Sequence, residues 1–300
     1  VRAMTVARWQ QLAVALQALL CAAALAWAWR AGWLALALTL VCLFAWLRLP
    51  LSLQFLLAAR AARQAGMPPA PTAWLRAWWH EGRWAARVFG WWQPFRMQAQ
   101  PDRLQSSRPG RGMVLVHGFG CNRAFWTPWL RRLRREGRAC VAVNLAPPLA
   151  GIDTYAAAVE QAVRGVTEAT GCTPLVVAHS MGGLAVRAWL RATPGADARV
   201  HRVVTLATPH QGTPAARWGV GANARQMRPA SAWLQALAAS EPAERRARFV
   251  CWHSDCDNVV YPPGAAVLAG AELHTVTEVG HVQLAFEPQV VRACFDLLQP

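Results

Sequence analysis

The sequence predicts an α/β fold over residues 112–300, a mostly parallel sheet with helices on both faces, preceded by a transmembrane helical hairpin. Three observations lead there. From residue 112 onward, short Val-rich runs alternate with longer amphipathic stretches, as strands buried on both faces do when crossover helices separate them. Near the start of the chain two long uncharged stretches follow one another almost without interruption. Between these regions lies a Trp- and Arg-rich segment ending in a polar linker, PDRLQSSRPGR at 101–111. The expected division is 1–63 as the membrane-anchoring segment, 64–111 as interfacial helix and linker, and 112–300 as the α/β domain.

Between Arg8 and Arg30 run 21 uncharged residues, and between Arg30 and Arg48 another 17. At about 1.5 Å per residue the first covers about 30 Å of hydrocarbon, and the second is short. Trp9 and Trp46 would lie at one interface, Trp27, Trp29 and Trp33 at the other, with Gly32 near the turn. A cleaved signal peptide is the competing reading, with Arg2 and Arg8 as its charged start and small residues around Ala24 and Ala26. The second uncharged stretch and the Trp residues crowding that cleavage point count against it. Cys21 as a lipid-bearing cysteine is weaker still, because Leu20 precedes it where a small residue is wanted.

After LSLQFLLAARAAR the chain breaks at PPAPT and resumes as WLRAWWHEGRWAARVFGWWQPF, with Thr72 expected to cap a helix. Trp74, Leu75 and Trp78 are expected on one face, with Arg76 and Arg83 elsewhere. That pattern suits a helix lying at a bilayer surface and equally one packed on the domain. Strands are then expected at 113–117, 139–143, 174–179, 202–207, 247–253 and 272–277, and helices at 127–137, 153–169, 182–192 and 287–298.

All 31 basic side chains are arginine, as a GC-rich coding bias would produce. Thirteen of them, against two acids, fall in residues 1–111, so the positive charge sits mainly beside the apolar spans. No basic face interleaved with exposed aromatics and no recognised module accompanies it, which excludes nucleic acid as partner and leaves the bilayer. The eight cysteines show no CxxC pair and no Cys/His metal spacing, so they read as small buried hydrophobes, with a Cys251–Cys256 disulfide left open.

The chemistry is carried by AHSMGG. Strand 174–179 runs into Ser180 and then into a helix, with Ala178, Gly182 and Gly183 around the serine. A sharp strand-to-helix turn exposes a hydroxyl above the sheet, small neighbours avoid clashes, and the helix start supplies N–H donors. Upstream, MVLVHGFGCN ends a strand in a Gly-rich loop that lacks the lysine of a phosphate loop and the spacing of a dinucleotide fingerprint, so no cofactor is implied. Downstream, SDCDNVVYPPG follows one strand and EVGHVQLAF another.

Together these elements, in this order, resemble the α/β-hydrolase superfamily, lipase and esterase branch, with Ala178 where G-x-S-x-G has its first glycine. The resemblance spans roughly 112–300. It implies Ser180 as nucleophile, His281 as base and Asp257 as the acid, with Asp255 its nearby rival, and the N–H groups of Phe119 and Met181 as oxyanion hole. His117 is expected to support that loop. TLATPHQGT at 205–213 resembles a segment this branch carries, and the stretch 214–245 is expected to cap an acyl pocket, with Met227, Trp233, Leu234 and Leu237 facing it. His210 with His201 or Asp197 is weighed as a metal site and set aside, because no full ligand set surrounds it.

The implied activity is hydrolysis of carboxylic esters, lipid acyl esters foremost. An acyltransferase using the same triad, distinguished by products formed with competing alcohols, and a non-catalytic membrane scaffold are the alternatives. The arginine distribution, with Arg2 and Arg8 before the first span and Arg48, Arg60 and Arg63 after the second, puts both ends and the domain on the cytoplasmic side of a bacterial-type inner membrane. An outward-facing or secreted domain is the alternative.

Overall fold

The computed structural model describes residues 5–299, so Arg2 of the charge count lies outside the described residues. Two long helices open the chain, α1 (Val6–Ala31) and α2 (Trp33–Gln64), with only Gly32 between them. Its φ of 102° is in the region that favours glycine. The two helices form a hairpin, because both remote ends touch the domain. Gln10 and Gln11 of α1 donate to Gly120 O and Pro94 O, and Asn258 donates to Gln54 of α2 at 2.8 Å. At 1.5 Å per residue the tip stands roughly 30 Å from this base, where Trp29 and Trp33 meet with ring centroids 6.5 Å apart. Both helices are long and apolar enough to cross a membrane, and their most apolar stretches are almost wholly uncovered by protein.

Arg48 and Pro50 do not end the second helix, although the sequence reads a short span stopping at Arg48. Proline removes one helical hydrogen bond. The helix continues all the same: Ser52 Oγ donates to the Arg48 carbonyl at 2.9 Å, and the Arg48 guanidinium sits 4.8 Å over the Trp78 ring. The helix therefore passes from the apolar hairpin straight onto the domain.

The third helix, α3 (Pro71–Arg87), starts on a proline whose fixed φ suits the first turn, with Ala70 rather than Thr72 in the cap position. It continues through a π segment (Val88–Trp92) into α4 (Gln93–Phe95). Trp74 and Trp78 turn toward Phe55 and Leu51 of α2, but Leu75 is exposed, since one helical step rotates a side chain by about 100°. Further along, Trp84 stacks on Phe286 with centroids 4.4 Å apart. This helix packs on protein along much of its length.

The domain carries six parallel strands, β1 (Met113–Val116), β2 (Cys140–Val143), β3 (Leu175–His179), β4 (Arg202–Leu206), β5 (Phe249–Ser254) and β6 (Glu272–Val276), in the order β2-β1-β3-β4-β5-β6. Alternate side chains enter two cores. Val114, Val116, Val176 and Val203 meet α6 (Ala156–Thr170) and α7 (Met181–Ala192), whereas Met113, Leu115, Val177 and Val204 meet α5 (Thr127–Arg135) and α11 (Pro288–Asp296). Between β4 and β5 lie three short helices, α8 (Ala222–Gln226), α9 (Ala232–Ala239) and α10 (Ala243–Arg246). Cys251 and Cys256 are free thiols. Their side chains pack apart, the first against His210 and the second beneath α2 and α3, so the disulfide left open by the sequence is not formed.

Candidate active site

In an open parallel sheet, groups converge outside the carboxyl ends of the strands. Here the loops after β1, β3, β5 and β6 supply the candidate residues. Ser180 follows β3 with φ 55° and ψ −131°, a backbone conformation that L-residues rarely adopt. Its N–H donates to Leu206 O at 2.8 Å and its carbonyl accepts from Thr208 Oγ1 at 2.9 Å, which hold the turn from the neighbouring strand.

The turn has no room for larger neighbours. A Cβ on Gly182 would lie 2.5 Å from Val116 O, and one on Gly183 2.2 Å from Thr208 Oγ1. Across the site a Cβ on Gly118 would lie 2.8 Å from Ser180 Cβ. Ala178 is buried in the sheet among apolar neighbours, so the methyl that departs from G-x-S-x-G fits.

His281 Nε2 stands 3.0 Å from Ser180 Oγ, and its Nδ1 stands 2.9 Å from Asp257 Oδ2. With the ring neutral, Nδ1–H donates to the carboxylate and Nε2 is left to accept from the serine. Burial opposes the imidazolium, but the charge and hydrogen bond of Asp257, followed by the charge of Glu81, outweigh it and raise the His281 pKa. Asp257 Oδ1 also accepts the N–H groups of Val259 and Val260, each at 2.8 Å. Asp255 points elsewhere, accepting from Glu278 N at 2.8 Å.

His117 is buried, and desolvation lowers its pKa to about 4. The neutral ring donates from Nδ1 to Gly118 O at 2.9 Å and accepts Leu145 N–H on Nε2 at 3.1 Å, fixing the loop that carries Phe119. Met181 is the first residue of α7, where a helix has no partner of its own for the N–H. Phe119 lines a cavity of about 290 Å³ that reaches Ser180.

Its other walls are mainly apolar, including Leu57 and Gln54 of α2, Trp218, Met227 and Tyr261. Of the four residues expected to face an acyl pocket from the cap, Met227 does. The other three do not, because the cap folds its apolar side onto α7. Leu234 and Leu237 are buried in the core, and Trp233 Nε1 donates to Asp153 at 2.7 Å. The far end of the cap is tied to α7, the helix that leaves the turn at Ser180 (the elbow), by Glu241, which takes Arg187 in a buried pair at 2.8 and 2.5 Å. His210 belongs to the same cluster. Burial and then Arg187 push its pKa well down, and it contacts Thr205 Oγ1 at 3.0 Å. Among the described residues no group of three His, Cys, Asp or Glu side chains could hold a metal ion.

Four side chains that the motifs do not reveal complete the surroundings of His281. Asn258 Oδ1 accepts its N–H at 3.0 Å, and His179 Nε2 donates to its carbonyl at 3.0 Å. Glu81 accepts the N–H groups of Val282 and Gln283 at 2.9 and 2.8 Å, and Gln54 holds Asn258. Asn258 and His179 adjoin motif residues, but their direction depends on packing. Glu81 has one sequence signal, being the sole acid among the first 101 residues.

The chain belongs to the Alpha/beta hydrolase family, whose model matches residues 113–293. The fold is similar to that of the mature lipase BlEst2 from Bacillus licheniformis, with TM-score 0.55 and 15% identity, over 65% of this chain and 96% of the other. It is similar also to lipase B from Aspergillus fumigatus, with TM-score 0.50 and 15% identity, over 57% of this chain and 45% of the other. No curated protein matches the chain by sequence.

Proposed function

We propose that the protein is a membrane-anchored serine hydrolase that cleaves carboxylic esters, lipid acyl esters foremost, through Ser180, His281 and Asp257. The observation that carries this reading is the run of contacts from Asp257 to His281 to Ser180, 2.9 and 3.0 Å, at the end of an apolar cavity. His281 Nε2 takes the Ser180 proton as Oγ attacks the ester carbonyl. The negative charge that develops on the carbonyl oxygen is received by the N–H groups of Phe119 and Met181, and the imidazolium is stabilised by Asp257. His281 then gives the proton to the departing alkoxide, which leaves as the alcohol, and the acyl group stays on Ser180 Oγ as an acyl-enzyme. Water, deprotonated by the same nitrogen, attacks the acyl-enzyme, and Ser180 departs with the proton while the carboxylic acid is released.

Lipid esters are favoured because α2 runs without a break from an apolar stretch into the cavity wall at Gln54 and Leu57. Exposed Leu53 and Leu56 continue that apolar surface, and exposed Trp218 stands at the cavity. A substrate in the bilayer would have a continuous apolar route to Ser180. The hairpin serves as anchor, with Trp27, Trp29 and Trp33 at the far interface and the domain on the cytoplasmic side.

Esters differing only in acyl length, offered to detergent-solubilised protein and its Ser180→Ala variant, test the activity. Hydrolysis by the native protein and none by the variant is expected, and equal rates would refute the reading. Reporter fusions after residues 30 and 111 test the topology. Externally active alkaline phosphatase at residue 111 would place the domain outside.

A further inference from the structure

The loop carrying His281 is held by the segment that precedes the α/β domain. Glu81, three turns into α3, is 2% exposed. Its two oxygens take the Val282 and Gln283 N–H groups, the first two donors after His281. The approach is close, since a Cβ on Gly280 would lie 2.6 Å from both Glu81 Cβ and Oε2. From the other side Gln54 of α2 accepts from Asn258 Nδ2 at 2.8 Å, and Asn258 Oδ1 accepts the His281 N–H at 3.0 Å. The peptide bearing the imidazole is thus gripped by one side chain of α3 directly and by one of α2 through Asn258.

We propose that Glu81 is a positioning residue for His281, and that the N-terminal helices are part of the catalytic apparatus rather than only a tether. The proposal rests on the Ser180–His281–Asp257 reading. Two short charge-assisted hydrogen bonds fix where the loop lies. Once Glu81 is ionised, above about pH 7, its negative charge beside the ring also favours the imidazolium that forms when Ser180 gives up its proton. The charged and titratable groups facing His281 are Asp257 from the β5 loop, His179 from β3 and Glu81 from α3. Burial and the His281 charge both push His179 far down, so it stays neutral and donates to the His281 carbonyl. Asp257 is one anion, and Glu81, whose pKa burial raises to about 7, is the second above that pH. One belongs to the domain and the other to α3, the helix that follows the apolar hairpin.

The inferred role has a signature that loop support alone would lack. Neutral His281 is the base, so kcat/KM falls on the acid side of its pKa. Glu81→Gln removes the charge and turns an amide donor toward one of the two backbone donors. We expect kcat to fall about 10- to 100-fold, as displacement of a reacting group by a fraction of an ångström produces. KM should hold, since Glu81 does not line the cavity, and the acid limb should move to lower pH.

The measurement uses full-length protein in detergent with a soluble short-chain ester, and Ser180→Ala alongside. A wild-type kcat, or a lower kcat with the acid limb unmoved, would overturn the proposal. If Glu81→Gln fails to fold, Glu81→Asp carries the test, because its charge remains while its reach is one methylene shorter. Its acid limb should stay in place and its kcat should fall, and an unchanged kcat would overturn the positioning role. Activity in Ser180→Ala would remove the triad and this proposal together. An inactive Ser180→Ala beside a wild-type Glu81→Gln would remove this proposal alone.

Discussion

Replacing Asp257 by asparagine changes one atom, and the structure dictates which way the new amide must face. Oδ1 accepts two backbone N–H groups, from Val259 and Val260, both at 2.8 Å. An NH₂ at that position would meet two donors, so the amide oxygen stays there and the NH₂ takes the Oδ2 position, 2.9 Å from His281 Nδ1. The NH₂ is the nearer neighbour of Nδ1, since the retained oxygen lies 3.1 Å away, so Nδ1 turns to accepting and the imidazole proton moves to Nε2, the nitrogen 3.0 Å from Ser180 Oγ. In that tautomer His281 has no lone pair with which to take the serine proton. The same tautomer error in a serine triad costs about 10⁴-fold in kcat, equivalent to about 5.5 kcal/mol of barrier. Asp255 accepts from Glu278 N and makes no hydrogen bond to His281, so Asp255→Asn should stay within about threefold of wild type, as a change outside the reacting geometry does. The assay is single-turnover hydrolysis of a chromogenic ester, normalised to sites titrated with a fluorophosphonate. Asp257→Asn within tenfold of wild type, or a larger loss for Asp255→Asn, would refute the tautomer argument and the choice of acid.

Ser180→Ala should eliminate fluorophosphonate labelling while circular dichroism stays native, and persistent labelling would point to another nucleophile. Gly182→Ala places a methyl 2.5 Å from Val116 O and 2.6 Å from His117 O, both backbone atoms, and should cost about 3 kcal/mol in urea denaturation, the upper end for overpacking. A loss below about 1 kcal/mol would show that the elbow can relax. Ala224 lines the cavity, so Ala224→Leu should lower kcat/KM for long-chain esters more than for acetate, and a uniform change would place acyl chains elsewhere. Burial lifts the Glu81 pKa from 4.5 to about 7, so between those values the folded state holds more protons than the unfolded. The stabilising contribution is full below the lower value and is lost as pH rises through the upper, by roughly 3 kcal/mol in all. Denaturation at acid and alkaline pH should show this slope weakened in Glu81→Gln, and equal slopes would count against a buried, titrating Glu81.

The order of strands and helices, the elbow at Ser180 and the loops bearing Asp257 and His281 were legible in the sequence because they obey local rules. Buried parallel strands must be continuously apolar, and a strained turn between strand and helix must be flanked by small residues. The two apolar stretches were equally plain, since crossing hydrocarbon is a matter of length and charge along one segment. Asp257 could be ranked above Asp255 by resemblance, but only the fold shows one carboxylate on the imidazole and the other on Glu278. The cap went partly wrong for a related reason. Met227, Trp233, Leu234 and Leu237 are all large and apolar, and composition cannot tell a side chain facing a cavity from one facing α7. The continuity of α2 past Pro50, and the reach of Gln54 and Glu81 to the His281 loop, lay beyond sequence reading altogether. Those contacts join residues about 200 positions apart, and such pairs are set by how helices dock rather than by any periodicity within them.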